Sequence, residues 1–286
     1  MIYFAKKYWY YNFRILNHIF TDRICEKNKL RLFMSCSQLT NNWNVELNTE
    51  WVCRFYLSAK MIMSSTLMIN SLLYAKEKNI RVVSSYLYYY SLLHVMSALV
   101  YTMPSEKMNN GRFTGMSHNK IIKNAVEYIE NYDKKIANDI KEMAYTLKAQ
   151  RELISYRAPS SGEINMTIYD NFIDKCILIS EFTQFNSEIM ENSILNKVKD
   201  TSLFSISNEV TKKIYTHEIE KIKFYDNEDW YRIDYLTRRA KKPINVLFTM
   251  TEGHVEDFFG AWYREPENDE DIFNPDINWD IIFDII

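Results

Sequence analysis

The chain contains few residues that interrupt regular structure. Only five of its 286 residues are glycine and five are proline, and no glycine occurs before Gly111. The phosphate loop Gly-x-x-x-x-Gly-Lys is absent, and so is a glycine-rich dinucleotide loop. These loops need glycine because the backbone itself approaches the phosphates. Kinase-like and dinucleotide-binding chemistry are therefore not supported.

Cysteine is also scarce, and its spacing is uninformative. The four cysteines are Cys25, Cys36, Cys53 and Cys176. No Cys-x-x-Cys pair occurs, so neither a disulfide framework nor a zinc site is indicated, and reduced cytosolic thiols are the simplest interpretation. His217-Glu218 is not a zinc motif, because no second histidine follows four residues after the first. We expect no metal and no cofactor.

A strong net charge and a long apolar run are missing as well. The 35 Lys and Arg residues nearly balance the 37 Asp and Glu residues, for a net charge of −2. RNA contact would therefore depend on a local patch. The N-terminus lacks the unbroken apolar core and small-residue cleavage site of a signal peptide. The stretch 84–103 carries serines, a histidine and five tyrosines, which suits a buried helix better than lipid. We expect a cytoplasmic protein with no membrane partner.

The apolar spacing predicts a mainly α fold. Apolar residues form 47% of the chain and charged residues 25%, as in ordinary globular proteins. Residues 1–53 are predicted to form one helix, at about 3–20, followed by irregular or extended chain. Helical periodicity begins at about Arg54 and continues to about residue 196 in five helices joined by short loops, which favours an antiparallel helical bundle over 54–200.

Local signals place the ends of these helices. The helix at about 80–103 is apolar on nearly every side, so we expect it to be the central helix of the bundle. Pro104 ends it, and Ser117 is a natural N-cap for the next helix. The following helix ends at Ala158-Pro-Ser-Ser-Gly162, and the fifth is predicted over about 167–196.

The pattern changes after residue 200. Short aromatic and β-branched runs at Phe224–Leu236 and Ile244–Thr249 predict strands, and a helix is expected at about 252–262. Residues 201–263 are therefore interpreted as a small mixed α+β subdomain. Residues 264–286 form an acidic tail with interleaved apolar residues. Such a tail is either disordered or docks a partner, where it would occupy a basic groove or mimic a nucleic acid.

Three short segments of the bundle carry distinctive aromatic and polar residues, and their order along the chain is informative. They are the aromatic helix Tyr86-Leu-Tyr-Tyr-Tyr-Ser-Leu-Leu-His94, the polar entry Ser117-His118-Asn119-Lys120, and the helix end Arg151-Glu-Leu-Ile-Ser-Tyr156-Arg157. Over residues 55–195, their order and spacing resemble the HEPN family of helical bundles. The resemblance implies RNA binding or cleavage, pairing of two bundles as a homodimer, and a role in toxin–antitoxin, CRISPR-linked or anti-phage systems.

HEPN nucleases carry an arginine followed, after four to six residues, by a histidine. Metal-independent RNA cleavage needs proton-transfer groups and a cation for the phosphate. Arg151 occupies the arginine position, but Tyr156 falls where the histidine is expected. Tyrosine has a reference pKa of about 10 against about 6.5 for histidine, which makes it a poor proton shuttle at neutral pH. The motif is therefore degenerate.

A degenerate motif leaves several roles open. Arg151 and Arg157 could jointly bind a phosphate, a nucleotide or a partner's carboxylate. Alternatively, Arg151 pairs with a buried acid while Tyr156 packs between helices. His118 would supply the missing imidazole if its helix begins near Arg151, although the resemblance implies an architectural role there. His94 is expected to be a hydrogen-bonded core residue.

Two other groups are candidates for RNA contact. The tyrosines at 88–90 could stack on bases, but their spacing on a buried helix favours core and dimer packing. The compact basic cluster could contact the RNA backbone, or it could be solvated surface. Its residues are Arg238, Arg239, Lys241 and Lys242.

Three hypotheses follow. The first is a HEPN-like protein that binds RNA, nucleotide or a partner through the Arg151 helix end, with weak or no catalysis. The second is a metal-independent endoribonuclease in which Arg151 neutralises the phosphate while Tyr156 or His118 handles protons. The third is a non-catalytic assembly component.

Overall fold

The fold is seen in a computed structural model. It describes residues 11–107, 116–164, 166–263 and 272–285. Three expectations lie partly or wholly outside the described residues: the first part of the predicted N-terminal helix, the loop containing Gly111, and the acidic run at 265–271.

The described chain is mainly helical with one small sheet, as the composition and periodicity predicted. The helices are α1 (Leu16–Ile19), α2 (Asp22–Thr40), α3 (Val45–Glu77), α4 (Ser84–Tyr101), α5 (His118–Glu130), α6 (Lys134–Arg157), α7 (Phe172–Lys197), α8 (Asn208–Tyr215), α9 (Asn227–Arg239), α10 (Val246–Thr249) and α11 (Glu252–Gly260). The strands are β1 (Thr216–Ile219) and β2 (Ile222–Tyr225). None of the described helices combines the length and apolar character that crossing a membrane requires.

The N-terminal region is less helical than predicted before residue 20, where only Leu16–Ile19 of the described part of the predicted helix is helical, and more helical after it. Residues 22–40 form α2 where irregular chain was expected, and α3 begins at Val45 instead of Arg54. Cys25, Leu32 and Cys36 recur at helical spacing and are buried, and α2 packs against α7. The prediction failed because this apolar stripe is narrow: tertiary burial against α7, more than local pattern, stabilises the helix.

Two helices form most of the interior. The predicted central helix is confirmed as α4, which packs against α3, α5, α6 and α7. The fifth helix is confirmed as α7, whose side chains are buried continuously from Cys176 to Met190. The N-cap prediction is also confirmed, because the Ser117 hydroxyl accepts a hydrogen bond from the Lys120 amide at the start of α5.

The predicted strand at Ile244–Thr249 is wrong, and the one at Phe224–Leu236 is wrong beyond Phe224 and Tyr225, which end β2. Most of 224–236 belongs to α9, which Asp226 caps and which buries Ile233 and Leu236 at helical spacing. Residues 246–249 form the single turn α10, capped by the Asn245 side chain. Short aromatic-rich runs satisfy both the strand and the helix pattern, and the caps decide between them.

The sheet lies at 216–225 and shares only Phe224 and Tyr225 with the first predicted strand. Strands β1 and β2 pair antiparallel, with Ile219 opposite Ile222. Glu220 and Lys221 connect them with positive φ angles of 51° and 69°, which match the right-handed twist of a tight hairpin. The helix predicted at 252–262 is confirmed as α11.

The described part of the acidic tail packs against the rest of the chain. Phe283 and Ile282 are fully buried. The Asn70 side-chain amide of α3 donates to the carbonyl oxygens of Pro275 and Asn278, both at 3.2 Å. Residues 272–285 are therefore an integral part of the fold, and the expectation of a disordered tail is wrong for them.

Candidate functional site

Three helices bring together residues from the three segments whose order and spacing resemble HEPN proteins. Tyr89 and Tyr90 lie on α4, His118 is the first residue of α5, and Arg151 lies in the last two turns of α6. Helix α4 packs against both α5 and α6, and those two helices pack against each other. Residues that are up to 62 positions apart in the chain therefore meet at one junction, which we call the Arg151 cluster (Tyr89, Tyr90, His118 and Arg151).

The Tyr89 hydroxyl lies at the centre of this cluster. Its oxygen is 2.8 Å from the His118 Nδ1. The Arg151 guanidinium carbon lies 5.1 Å from the Tyr89 ring centroid and 5.7 Å from that of Tyr90. The Tyr90 ring meets the His118 imidazole edge-on, with their centroids 6.1 Å apart. His118 is therefore a near neighbour of Arg151, which is the condition for its use as the missing imidazole.

Burial and the nearby cations set the protonation of these groups. Burial raises the pKa of Tyr89 to about 12, against an opposing interaction of its hydroxyl with Arg151. Burial, followed by the positive charges of Arg151 and Lys148, lowers the pKa of His118. The Tyr89 hydroxyl is therefore protonated at neutral pH, and the His118 imidazole is neutral.

Arg151 is half-buried at the end of this cluster. Within the described ranges it takes part in no ion pair, and its Nε is buried without a hydrogen-bond partner. The alternative that Arg151 pairs with a buried acid is therefore not what the structure shows. Its guanidinium lies over tyrosine rings, which orient it without neutralising its charge.

Tyr156 and Arg157 lie beyond this cluster at the end of α6. The Tyr156 side chain is 75% exposed, so it does not pack between helices as the alternative required. Arg157 is also exposed. The hydrogen bonds described at this end of α6 instead involve Ser155, whose hydroxyl donates to the Arg151 carbonyl at 2.8 Å and to the Tyr86 hydroxyl at 3.3 Å. The structure thus brings His118, and not Tyr156, to Arg151.

His94 is a core residue, as expected. Its Nδ1 is 3.0 Å from the Ser64 hydroxyl oxygen. Burial lowers its pKa to about 4, so it is neutral at physiological pH. Tyr88 and Tyr89 also lie in the core, and both are buried.

Sequence reasoning missed one neighbour of the cluster. Lys148 donates a hydrogen bond to the Asn119 side-chain oxygen at 2.8 Å and lies 3.8 Å from the Glu152 carboxylate. A lysine three residues before Arg151 shares its helix face, and that spacing was the available signal.

The basic cluster at 238–242 has different surroundings. Arg238 pairs with Asp234 at 3.0 Å, and Arg239 donates to the Phe248 carbonyl at 3.2 Å. The Lys241 carbonyl accepts a hydrogen bond from the Asn48 side chain at 2.7 Å. None of the contacts described for this cluster joins it to Arg151.

A second group of charged residues lies between α3, α9 and α11. The buried Asp229 carboxylate accepts hydrogen bonds from the Tyr56 hydroxyl and the Lys60 ammonium, both at 2.5 Å. His254 stacks on Tyr56 beside a cavity of about 220 Å³. Because Asp229 is neutralised by Lys60, this group holds α9 against α3 and leaves the Arg151 cluster as the better candidate site.

The chain was also compared with known proteins. No protein-family model matches it, and neither the search of curated proteins nor the search of solved structures found a match. The resemblance to HEPN proteins therefore rests on the order and spacing of the residues themselves.

Proposed function

We propose that this chain is a HEPN-like helical-bundle protein that binds RNA through a backbone phosphate at the Arg151 cluster, with weak or no catalysis. The observation that carries this proposal is the junction of Arg151, Tyr89 and His118. An arginine without an acidic partner in the described chain, held on tyrosine rings beside an imidazole, suits a phosphate better than it suits a core contact.

The surrounding electrostatics support an anion. Lys148 adds positive charge near Arg151, while Glu152, which lies 3.8 Å from the Lys148 ammonium, is the acidic residue on the same turn. The site also lies at the N-terminus of α5, where unpaired backbone amides give a partial positive charge. The local field is thus positive although the chain as a whole is slightly acidic, which is the pattern expected for a local phosphate site.

A second candidate function is metal-independent RNA cleavage. The observation that favours it is the position of His118, which is neutral and therefore able to accept a proton, close to Arg151. In this case His118 would take the 2′-hydroxyl proton while Arg151 stabilises the charged phosphate. By the same resemblance, either function would serve an RNA-directed or anti-phage defence system.

Binding of a labelled single-stranded RNA at several salt concentrations tests the first function. We expect Arg151→Ala to lower the affinity by about 10- to 150-fold, since a charge-assisted hydrogen bond contributes about 1.5–3 kcal/mol. The salt slope should also fall by about one. Lys141→Ala is the matched control, because it removes an exposed charge from the same helix. Equal binding by wild type and Arg151→Ala would refute the proposal.

The same RNA, incubated with EDTA and analysed by length, tests the second function. Cleavage that is lost in His118→Ala, with RNA affinity retained, would establish a ribonuclease. Absence of cleavage alongside Arg151-dependent binding is the result that the first function predicts. Arg157→Ala, tested in parallel, shows whether the exposed end of α6 contributes.

A further inference from the structure

We infer that the Tyr89 hydroxyl is a positioning group that holds His118 in the tautomer protonated at Nε2, so that His118 and Arg151 together donate N–H bonds to one phosphate. This inference rests on the proposed function for the identity of the ligand. It adds a role for Tyr89, and it makes His118 a hydrogen-bond donor and not a base.

The argument begins with the donors and acceptors of the three side chains. Arginine has only donors, so the Arg151 guanidinium, which interacts with the Tyr89 hydroxyl, directs N–H groups towards its oxygen and repels the hydroxyl hydrogen. The Tyr89 side chain is only 1% exposed. Its hydrogen therefore points to the acceptor that the structure provides, which is the His118 Nδ1 at 2.8 Å.

The tautomer follows from this hydrogen bond. A neutral imidazole carries one proton, and a ring whose Nδ1 accepts a hydrogen bond carries it on Nε2. Burial, followed by the positive charges of Arg151 and Lys148 on α6, lowers the pKa of His118 and keeps the ring neutral, and the opposing effect of Glu152 is smaller. The Tyr90 ring from α4 packs edge-on against the imidazole.

The Nε2-protonated tautomer of His118 suits phosphate binding and does not suit RNA cleavage. The Nε2–H group cannot take a proton from a 2′-hydroxyl, and the Nδ1 lone pair is already occupied by Tyr89. What His118 offers is one donor beside the fork of Arg151. A tetrahedral phosphate matches that arrangement because it presents several acceptor oxygens at once.

Nitrogen-15 NMR of the histidine side chains in the full chain tests the inference without RNA. With His118→Gln used to assign the signal, we expect wild-type His118 to show the Nε2–H pattern. In Tyr89→Phe, which keeps the buried ring, we expect a shift towards a mixture of tautomers. Tyr90→Phe is the matched control and should leave the pattern unchanged. An Nδ1–H pattern in wild type, or no change in Tyr89→Phe, would overturn the inference.

Titration with inorganic phosphate tests the donor role. Phosphate should perturb the His118 Nε2–H signal in wild type, and Tyr89→Phe should weaken binding roughly fivefold, the effect of one ordinary hydrogen bond. No perturbation by phosphate would overturn the donor role. Failure of this inference and failure of RNA binding remain distinguishable, because the tautomer is measured in the free protein. If RNA binding depends on Arg151 but His118 is protonated at Nδ1 in the free protein, only the positioning role of Tyr89 is refuted.

Discussion

Two arginines show how local surroundings determine the role of a cation. Arg54 is 2% exposed; its guanidinium pairs with Glu50 and donates to the carbonyl oxygens of Met103 and Glu106. Arg151 has no acidic partner in the described chain and lies over tyrosine rings. Arg54 therefore ties the end of α4 to α3, whereas the charge of Arg151 is not paired with a carboxylate in the described chain.

The contribution of Arg54 to stability is testable by urea denaturation. We expect Arg54→Met to lower the free energy of unfolding by about 2–3 kcal/mol, because two backbone carbonyls and the Glu50 carboxylate lose their donor. The loss stays below that of a fully buried pair since Glu50 is 22% exposed and is partly rehydrated.

Arg238→Met is the matched control for this substitution. Arg238 and Asp234 also form an i,i+4 pair, but both are exposed to solvent. Such pairs contribute about 0.5 kcal/mol or less. Equal effects of the two substitutions would show that burial does not set the role of Arg54.

At the scale of single elements, α7 is unusual for the polar groups that it buries. Glu181 accepts hydrogen bonds from the backbone amides of Ile15 and Leu16 at 2.6–3.1 Å. Glu188 accepts one from the Gln184 side chain at 2.7 Å. Burial raises the pKa of Glu181 to about 7 and that of Glu188 to about 8. These two carboxyl groups of α7 therefore stay protonated to a higher pH in the folded state than in the unfolded chain.

Glu188→Gln tests this property through the pH dependence of stability. The pKa of Glu188 is about 4.5 in the unfolded chain and about 8 in the folded chain. Between these values only the folded state binds the proton, so wild type loses stability as the pH rises. We expect the variant to become more stable than wild type as the pH rises from about 5 to about 8. Each unit corresponds to about 1.4 kcal/mol, so the difference is at most about 4 kcal/mol.

The measurement is urea denaturation of both proteins at several pH values. His94 and His254 also titrate, but they do so equally in both proteins and cancel in the difference. Glu142→Gln, an exposed change on α6, is expected to follow wild type at every pH. If the difference in free energy of unfolding between Glu188→Gln and wild type does not change with pH, a raised pKa at this position is contradicted.

At the scale of the whole molecule, the two ends of the described chain meet. The Tyr11 and Phe283 rings are 4.6 Å apart, and Arg14 pairs with Asp284 at 3.2 Å. Glu181 of α7 holds the same N-terminal segment through its backbone amides. Residues 272–285 therefore complete the core that the earlier helices begin.

Phe283→Ala tests this role of the C-terminal segment. We expect a loss of about 3–5 kcal/mol in the free energy of unfolding, because a fully buried ring leaves a cavity. Ile277→Ala is the control in the same segment; this side chain is 73% exposed, and its loss should change stability by less than about 0.5 kcal/mol. If Phe283→Ala and Ile277→Ala lower the free energy of unfolding by the same small amount in denaturation experiments, the C-terminal segment is dispensable for stability.

Sequence reasoning succeeded where a single period extends over many residues. The apolar stripe and cap of α5, and the all-round apolar character of α4, identified both helices because each turn repeats the same signal. It failed over most of 224–236 and at 244–249, where runs of six to thirteen residues fit both the strand and the helix pattern. At the candidate site it identified Arg151 and His118 individually but had no means of measuring the distance between them.

The sequence by itself determined a mainly helical chain, the burial of the tyrosine-rich helix, and the absence of glycine-dependent phosphate loops. These are properties of composition and of contacts within a few residues along the chain. Only the tertiary structure decided that His118, and not Tyr156, lies at Arg151, and that Tyr89 joins them. The reason is physical: α4, α5 and α6 meet through side-chain packing between positions some 30 to 60 residues apart, and no local pattern encodes that geometry.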